Sequence, residues 1–250
     1  MKLLNKVKRR SDVIILIMVF ASIILYWADF VITGDFRSVF LGLIGNLAFL
    51  PIYVLFVTLM IERLLKQREK ELLQQKMNMV IGVFFSEVGT PLLKSGFCFL
   101  VNKEELASKV RIAATWQDQD FHRLSQYLGT GDLKIDSRLC CLDEMKDFLV
   151  ARRNFMLSLL ENPNLLEHDG FTDLLWAVFH LLEELQMRPV LQGLSEADMD
   201  HLSGDIRRAY THLLKEWIVY LLHLKSDYPY LFSLAVRNNP LNPEARVELQ

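Results

Sequence analysis

The sequence predicts an all-α protein: a two-span transmembrane helical hairpin, then a helical stalk, then a cytoplasmic α-helical bundle. Three observations predict it. Two apolar runs of about twenty residues lie before Glu62, each long enough to cross a bilayer as a helix. Beyond them, apolar residues recur at three- and four-residue steps. No stretch alternates apolar and polar residues as a half-buried strand would.

The organisation expected from these signals is a basic N-terminus over 1–12, the hairpin over 13–61, the stalk over 62–80, a helical domain over 81–237 and a loose tail over 238–250. Apolar residues make up 52% of the 250, and the excess is concentrated before Glu62, so the remainder reads as an ordinary water-facing chain. A net charge of −2 supplies no basic field for nucleic acid. Cys98, Cys140 and Cys141 are too few for a disulfide framework and lack CxxC spacing, so reduced structural thiols are expected.

The first span, "VIILIMVFASIILYWADFVI", runs from Val13 to Ile32 with Asp29 its one charge; the second runs from Val39 to Ile61 with none. At ~1.5 Å per residue each covers a ~30 Å hydrocarbon layer. The first is too long for the apolar core of a cleaved signal, and Tyr26 and Trp27 stand where a cleavage site needs small residues. Lys2, Lys6, Lys8, Arg9 and Arg10 precede the first span, and Arg63, Lys66, Arg68 and Lys70 follow the second. The connecting turn holds Arg37 against Asp29 and Asp35. Basic residues stay inside, so both termini are expected in the cytoplasm, with the protein multi-pass in the plasma (inner) membrane.

Within the second span, Asn46 can hydrogen-bond across to another span, Pro51 should kink the helix, and Gly42 and Gly45 allow close packing. A polar residue beside a kink also admits a pore, but two spans enclose one only in an oligomer. The stalk repeats Leu65, Leu72 and Met79 every seven residues, one seam of a coiled coil; Arg68 and Gln75 spoil the other.

After the stalk comes "FFSEVGTPLL". Its core, "SEVGTPL", resembles over about seven residues the phospho-acceptor box of sensor histidine kinases, with Glu87, Thr90, Pro91 and Leu92 in matching places. Ser86 stands where that box has its histidine. Without an imidazole, and without the asparagine box and glycine-rich loops of an ATP-binding half, kinase chemistry is excluded. Gly89 and Pro91 predict instead a helix that weakens and bends or ends there.

From Asn102 the chain reads as helices and turns. "NKEE" predicts a capping box, Asn102 with Glu105, opening a helix to about Gln117; a shorter one follows to Leu128. "GTGD" at Gly129–Asp132 is a turn and not a phosphate loop. Further helices fit Ser137 to Glu161 and Phe171 to Arg188. Ser195 and Asp198 then cap a helix of about 30 residues that ends before Pro229. Its stripe, Met199, Leu202, Ile206, Tyr210, Leu213, Trp217, Tyr220 and Leu224, reads first as a bundle seam. Its second reading is a partner groove, with Tyr210, Trp217 and Tyr220 as interface candidates. "YPYLFSLAV" adds a short apolar helix.

No catalytic constellation emerges, and neither a cofactor nor a metal is expected. His201, His212 and His223 are eleven residues apart, ~16.5 Å along a helix, too far for one ion. His180 and Glu183 stand at i, i+3, but the Glu-x-x-His order of di-metal bundles is reversed and unrepeated. His168 lies in a turn between Glu167 and Asp169. Arg152 with Arg153, and Arg207 with Arg208, read as solvated pairs. The expected role is therefore a membrane-anchored helical interaction or signal-relay module and not an enzyme. Its expected partners are the bilayer, a second copy and a cytoplasmic protein. The alternative is a subunit of a homo-oligomeric pore or transporter.

Overall fold

The computed structural model describes residues 2–130, 133–242 and 245, the side chains of residues 2–12, Thr130 and Leu166 excepted. Every regular element among them is helical. The chain divides into two compact units, Met1–Lys70 and Glu71–Gln250.

The first unit holds α1 (Lys2–Thr33) and the start of α2 (Phe36–Phe84). The reversal between them needs only two residues. Gly34 takes φ 64°, a left-handed conformation that costs glycine little, and donates its N–H to Phe30 O at 2.9 Å. Asp35 then caps α2, its Oδ1 accepting the Arg37 N–H at 2.9 Å. Val19, Ser22, Ile23 and Tyr26 of α1 face Phe36, Val39, Phe40 and Leu43 of α2 across a groove of about 440 Å³. One turn further along this seam, Asn46 Nδ2 donates to Tyr26 Oη at 3.1 Å. Gly42 and Gly45 lie off the seam, and a Cβ on either would meet nothing within 4 Å. The close packing expected of them is therefore not made within this chain. α2 continues through Pro51, which lacks the N–H that Leu47 O would accept. Both helices are long and apolar enough to cross a membrane, and neither apolar window buries any residue.

The second unit is a bundle built around α8 (Glu196–Asp227). Against it pack α7 (Asp169–Met187), α5 (Asp118–Thr130), α9 (Pro229–Arg237) and α3 (Thr90–Gly96); α6 (Leu142–Leu160) backs α7. The capping read from the sequence is present: Asp198 N donates to Ser195 Oγ at 3.2 Å. Phe84, Phe85, Phe171, Leu174, Leu182 and Leu213 are fully enclosed. Each buried side chain of this size contributes about 1.5–3 kcal/mol.

Several expectations are corrected here. The expected stalk is not wholly separate: Leu73, Met77 and Val80 pack on the bundle core, while Leu72 and Met79 of the heptad seam are exposed. The helix does not break at the Gly-Thr-Pro sequence. It widens into one π-helical turn, Phe85–Gly89, and resumes as α3, because Pro91 falls in the first turn, where no intrahelical N–H is required. A Cβ on Gly89 would lie 2.5 Å from the Phe85 ring, which explains the glycine.

The helix begun at Asn102 is α4 (Lys103–Lys109) and ends eight residues early. Asn102 Oδ1 accepts from Lys134 N at 3.3 Å and does not cap; Glu105 accepts from Tyr127 Oη at 3.1 Å. Gly129 and Thr130 of the expected turn lie in the last turn of α5, whereas Gly131 and Asp132 lie outside the described residues. The tail is anchored at its start: buried Asn239 donates to Val110 O at 3.0 Å, and Leu241 is buried beside it. Residues 243, 244 and 246–250 lie outside the described residues.

The expectation of reduced thiols fails for two of the three. Val101 N donates to Lys134 O at 2.8 Å and Asp136 N to Phe99 O at 3.0 Å, laying two extended segments side by side. That pairing joins Cys98 and Cys140 as a disulfide, with Cα atoms 6.2 Å apart. Cys141 is free and exposed.

Candidate functional site

The loop Arg188–Ser195 returns the chain on itself, with Gly193 at φ 73°, so α7 and α8 lie antiparallel. Polar residues on the two helices then meet in sequence as rungs of a ladder. Arg188 faces Asp198, Glu184 faces His201, and His180 faces Asp205. Asp173 and His212 influence each other two turns further on, and Glu216 abuts Gly170 at the far end.

The upper rungs bring several ionisable side chains together. Arg188 Nη1 sits 2.6 Å from Glu184 Oε2, and its Nη2 3.3 Å from Asp198 Oδ1. The guanidinium holds both carboxyls below their ordinary range; for Asp198 the Ser195 hydroxyl adds to the effect. Next to them His180 Nε2 lies 4.0 Å from Glu184 Oε1 and 3.5 Å from Asp205 Oδ1. His201 Nε2 lies 3.5 Å from Glu184 Oε2 and 3.2 Å from Asp205 Oδ2. Arg208 Nη1 donates to Asp205 Oδ1 at 3.1 Å. Asp205 is 3% exposed, and its Oδ2 accepts no hydrogen bond although His201 Nε2 lies 3.2 Å away. A cleft of about 350 Å³ opens beside the cluster, lined by Asp173, Trp176, Ala177, His180, Arg208 and His212. Burial pushes the His212 imidazole down, favouring its neutral form.

His180, Glu184 and Asp205 bring one donor atom each within 4.8 Å of one another, close enough to share a cation. The sequence pairing of His180 with Glu183 is thus corrected: Glu183 is exposed, and Glu184, a full turn from His180, shares its face. Glu184 and Asp205 were missed. The signal for them was the repeat of one spacing, His180 with Glu184 and His201 with Asp205, on two helices joined by a short loop.

The other candidates are dispersed. Tyr210 and Trp217 are 3% and 2% exposed, so the partner-groove reading gives way to the core reading at both positions. Tyr210 donates to Leu93 O at 2.8 Å, and half-buried Tyr220 stacks on Phe85. His223 pairs with Asp227 at 3.0 Å and His168 Nδ1 accepts the Phe171 N–H at 3.1 Å, capping α7. Arg152 donates to Glu87 O at 3.2 Å, and Arg153 lies over the Phe179 ring.

The chain matches, over residues 73–237, the family described as "Uncharacterized protein MJ1433, C-terminal helical domain". Over residues 5–65 it matches "MJ1433, N-terminal helical domain". It is similar to the uncharacterized protein MJ1433 of Methanocaldococcus jannaschii, at 40% identity over 235 residues and 94% of each chain. No solved structure matches it.

Proposed function

This chain belongs to the MJ1433 family of paired helical domains, and from that premise we propose that it is an integral membrane protein whose helical bundle meets a partner at the cytoplasmic face. α1 and the first part of α2 insert as a hairpin, with both termini inside and the Gly34–Asp35 turn outside. One observation carries the reading: the large apolar side chains between Val13 and Ile61, among them Leu16, Phe20, Leu47, Leu55 and Phe56, are exposed in the first unit. Soluble chains rarely leave a contiguous apolar patch above a few hundred Å², and lipid removes that penalty.

The basic residues on either side of the hairpin support the orientation. The bundle offers a partner exposed apolar residues at Trp176, Met187 and Val190, along with the charged rungs between α7 and α8. A pore is the less supported role, because Asn46, the polar residue it needs, is already engaged by Tyr26. A tag fused at Gln250 and an added cysteine at Ser38 test the topology in intact cells. The reading requires the tag to resist external protease and the Ser38→Cys thiol to react with an impermeant reagent. The reverse pattern refutes it.

A further inference from the structure

We infer that His180, Glu184, His201 and Asp205 form a binding site for one divalent first-row transition ion, best matched by zinc, which fastens α7 to α8. The donor set is two imidazoles and two carboxylates, each helix giving one of each. Imidazole with carboxylate suits zinc, whereas calcium and magnesium select all-oxygen sets.

The spacing fits. A tetrahedral zinc with bonds of about 2.0–2.1 Å sets its ligand atoms roughly 3.3–3.4 Å apart. Taking the two carboxylate oxygens that the arginines leave open, His201 Nε2 lies 3.2 Å from Asp205 Oδ2 and His180 Nε2 4.0 Å from Glu184 Oε1, and His180, Glu184 and Asp205 each offer a donor atom within 4.8 Å of the others. The first is close to an edge of such a tetrahedron, and the second is too long for a hydrogen bond and leaves space between the two groups.

A second, independent observation points to a cation. Asp205 is 97% buried, and its Oδ2 has no hydrogen-bond partner while lying 3.2 Å from His201 Nε2. A buried carboxylate oxygen that accepts no hydrogen bond is costly, and a metal ion satisfies it directly. The arginines complete the arrangement. Arg208 holds Asp205 Oδ1 and Arg188 holds Glu184 Oε2, which leaves Asp205 Oδ2 and Glu184 Oε1 to bind. Ligating carboxylates are commonly oriented by such outer partners. The half-exposed rings of His180 and His201 give the ion a route in from solvent.

The test uses the full chain in detergent, stripped with a chelator and titrated at neutral pH with zinc, then cobalt(II). One equivalent of zinc should bind, cobalt should give the visible absorption of a four-coordinate site, and zinc should raise the melting temperature. His180→Gln and His201→Gln, at half-exposed positions that tolerate change, should abolish all three signals, and Asp205→Asn likewise. His122→Gln, on α5, should keep them. Arg188→Ala should weaken binding by about 10–100-fold while retaining the stoichiometry. Absence of stoichiometric binding to the wild-type chain overturns the inference. So does binding that survives unchanged in both histidine variants.

Discussion

Asn46 and Tyr26, twenty residues apart in sequence, share a hydrogen bond of 3.1 Å between α2 and α1. Apart from Ser22 the seam is otherwise lined by apolar side chains, so this bond helps to fix how the two helices register. In lipid such a bond contributes about 0.6–2 kcal/mol. Asn46→Leu and Tyr26→Phe should each destabilise the hairpin by that order. The double variant should be no worse than the weaker single one, as expected of two partners in one interaction. Unfolding in mixed micelles measures all three.

Gly96 fits under Tyr210 only because it lacks a side chain, since a Cβ there would sit 2.6 Å from the ring. Gly96→Ala should overpack the contact and cost about 1–3 kcal/mol. Tyr210→Phe keeps the ring but removes the donor to buried Leu93 O, at about 1–3 kcal/mol. Thermal unfolding of the two variants checks both, with Ser226→Ala as a neutral surface control.

Glu216 carries an acid–base signature. Burial pushes its carboxyl up from the ordinary glutamate range, with Asp173 adding to the shift and His168 opposing it. A raised folded-state value means a stabilising contribution that is full below the unfolded pKa and lost as pH rises through the folded one. Glu216→Gln should therefore melt higher than wild type at neutral pH. The advantage should disappear below about pH 4, where glutamate is protonated in both states.

Glu184 behaves in the opposite sense. Arg188 holds its carboxyl below the ordinary range, so its contribution is present above the unfolded pKa and lost as pH falls through the folded value. In metal-free protein, Glu184→Gln should cost about 1.5–3 kcal/mol at neutral pH, the range for a hydrogen bond to a charged group. The deficit should shrink in acid. Melting curves across pH separate it from Glu216→Gln by sign.

The elements most legible in the sequence were those dictated by local chemistry. The apolar runs before Glu62, the Ser195 cap and the stripe through Leu202, Ile206 and Leu213 all reappear as helices. What the sequence concealed depended on distant partners. Asn102 looks like a helix cap but is engaged by Lys134, 32 residues away. Cys98 and Cys140 meet only because two loops pair between them. Asn239 resembles a tail residue until Val110 is placed beside it. The histidine and carboxylate cluster was half visible. Each helix carries its own four-residue spacing, but the facing register is set by the loop through Gly193.

The claim on which the rest depends is that α1 and the first part of α2 are embedded in lipid. Membranes from cells expressing the full chain, washed with alkaline carbonate and floated on a density gradient, test it most directly. The account predicts that the protein stays with the vesicles and leaves them only with detergent. Release into the carbonate supernatant as a folded soluble chain would contradict it.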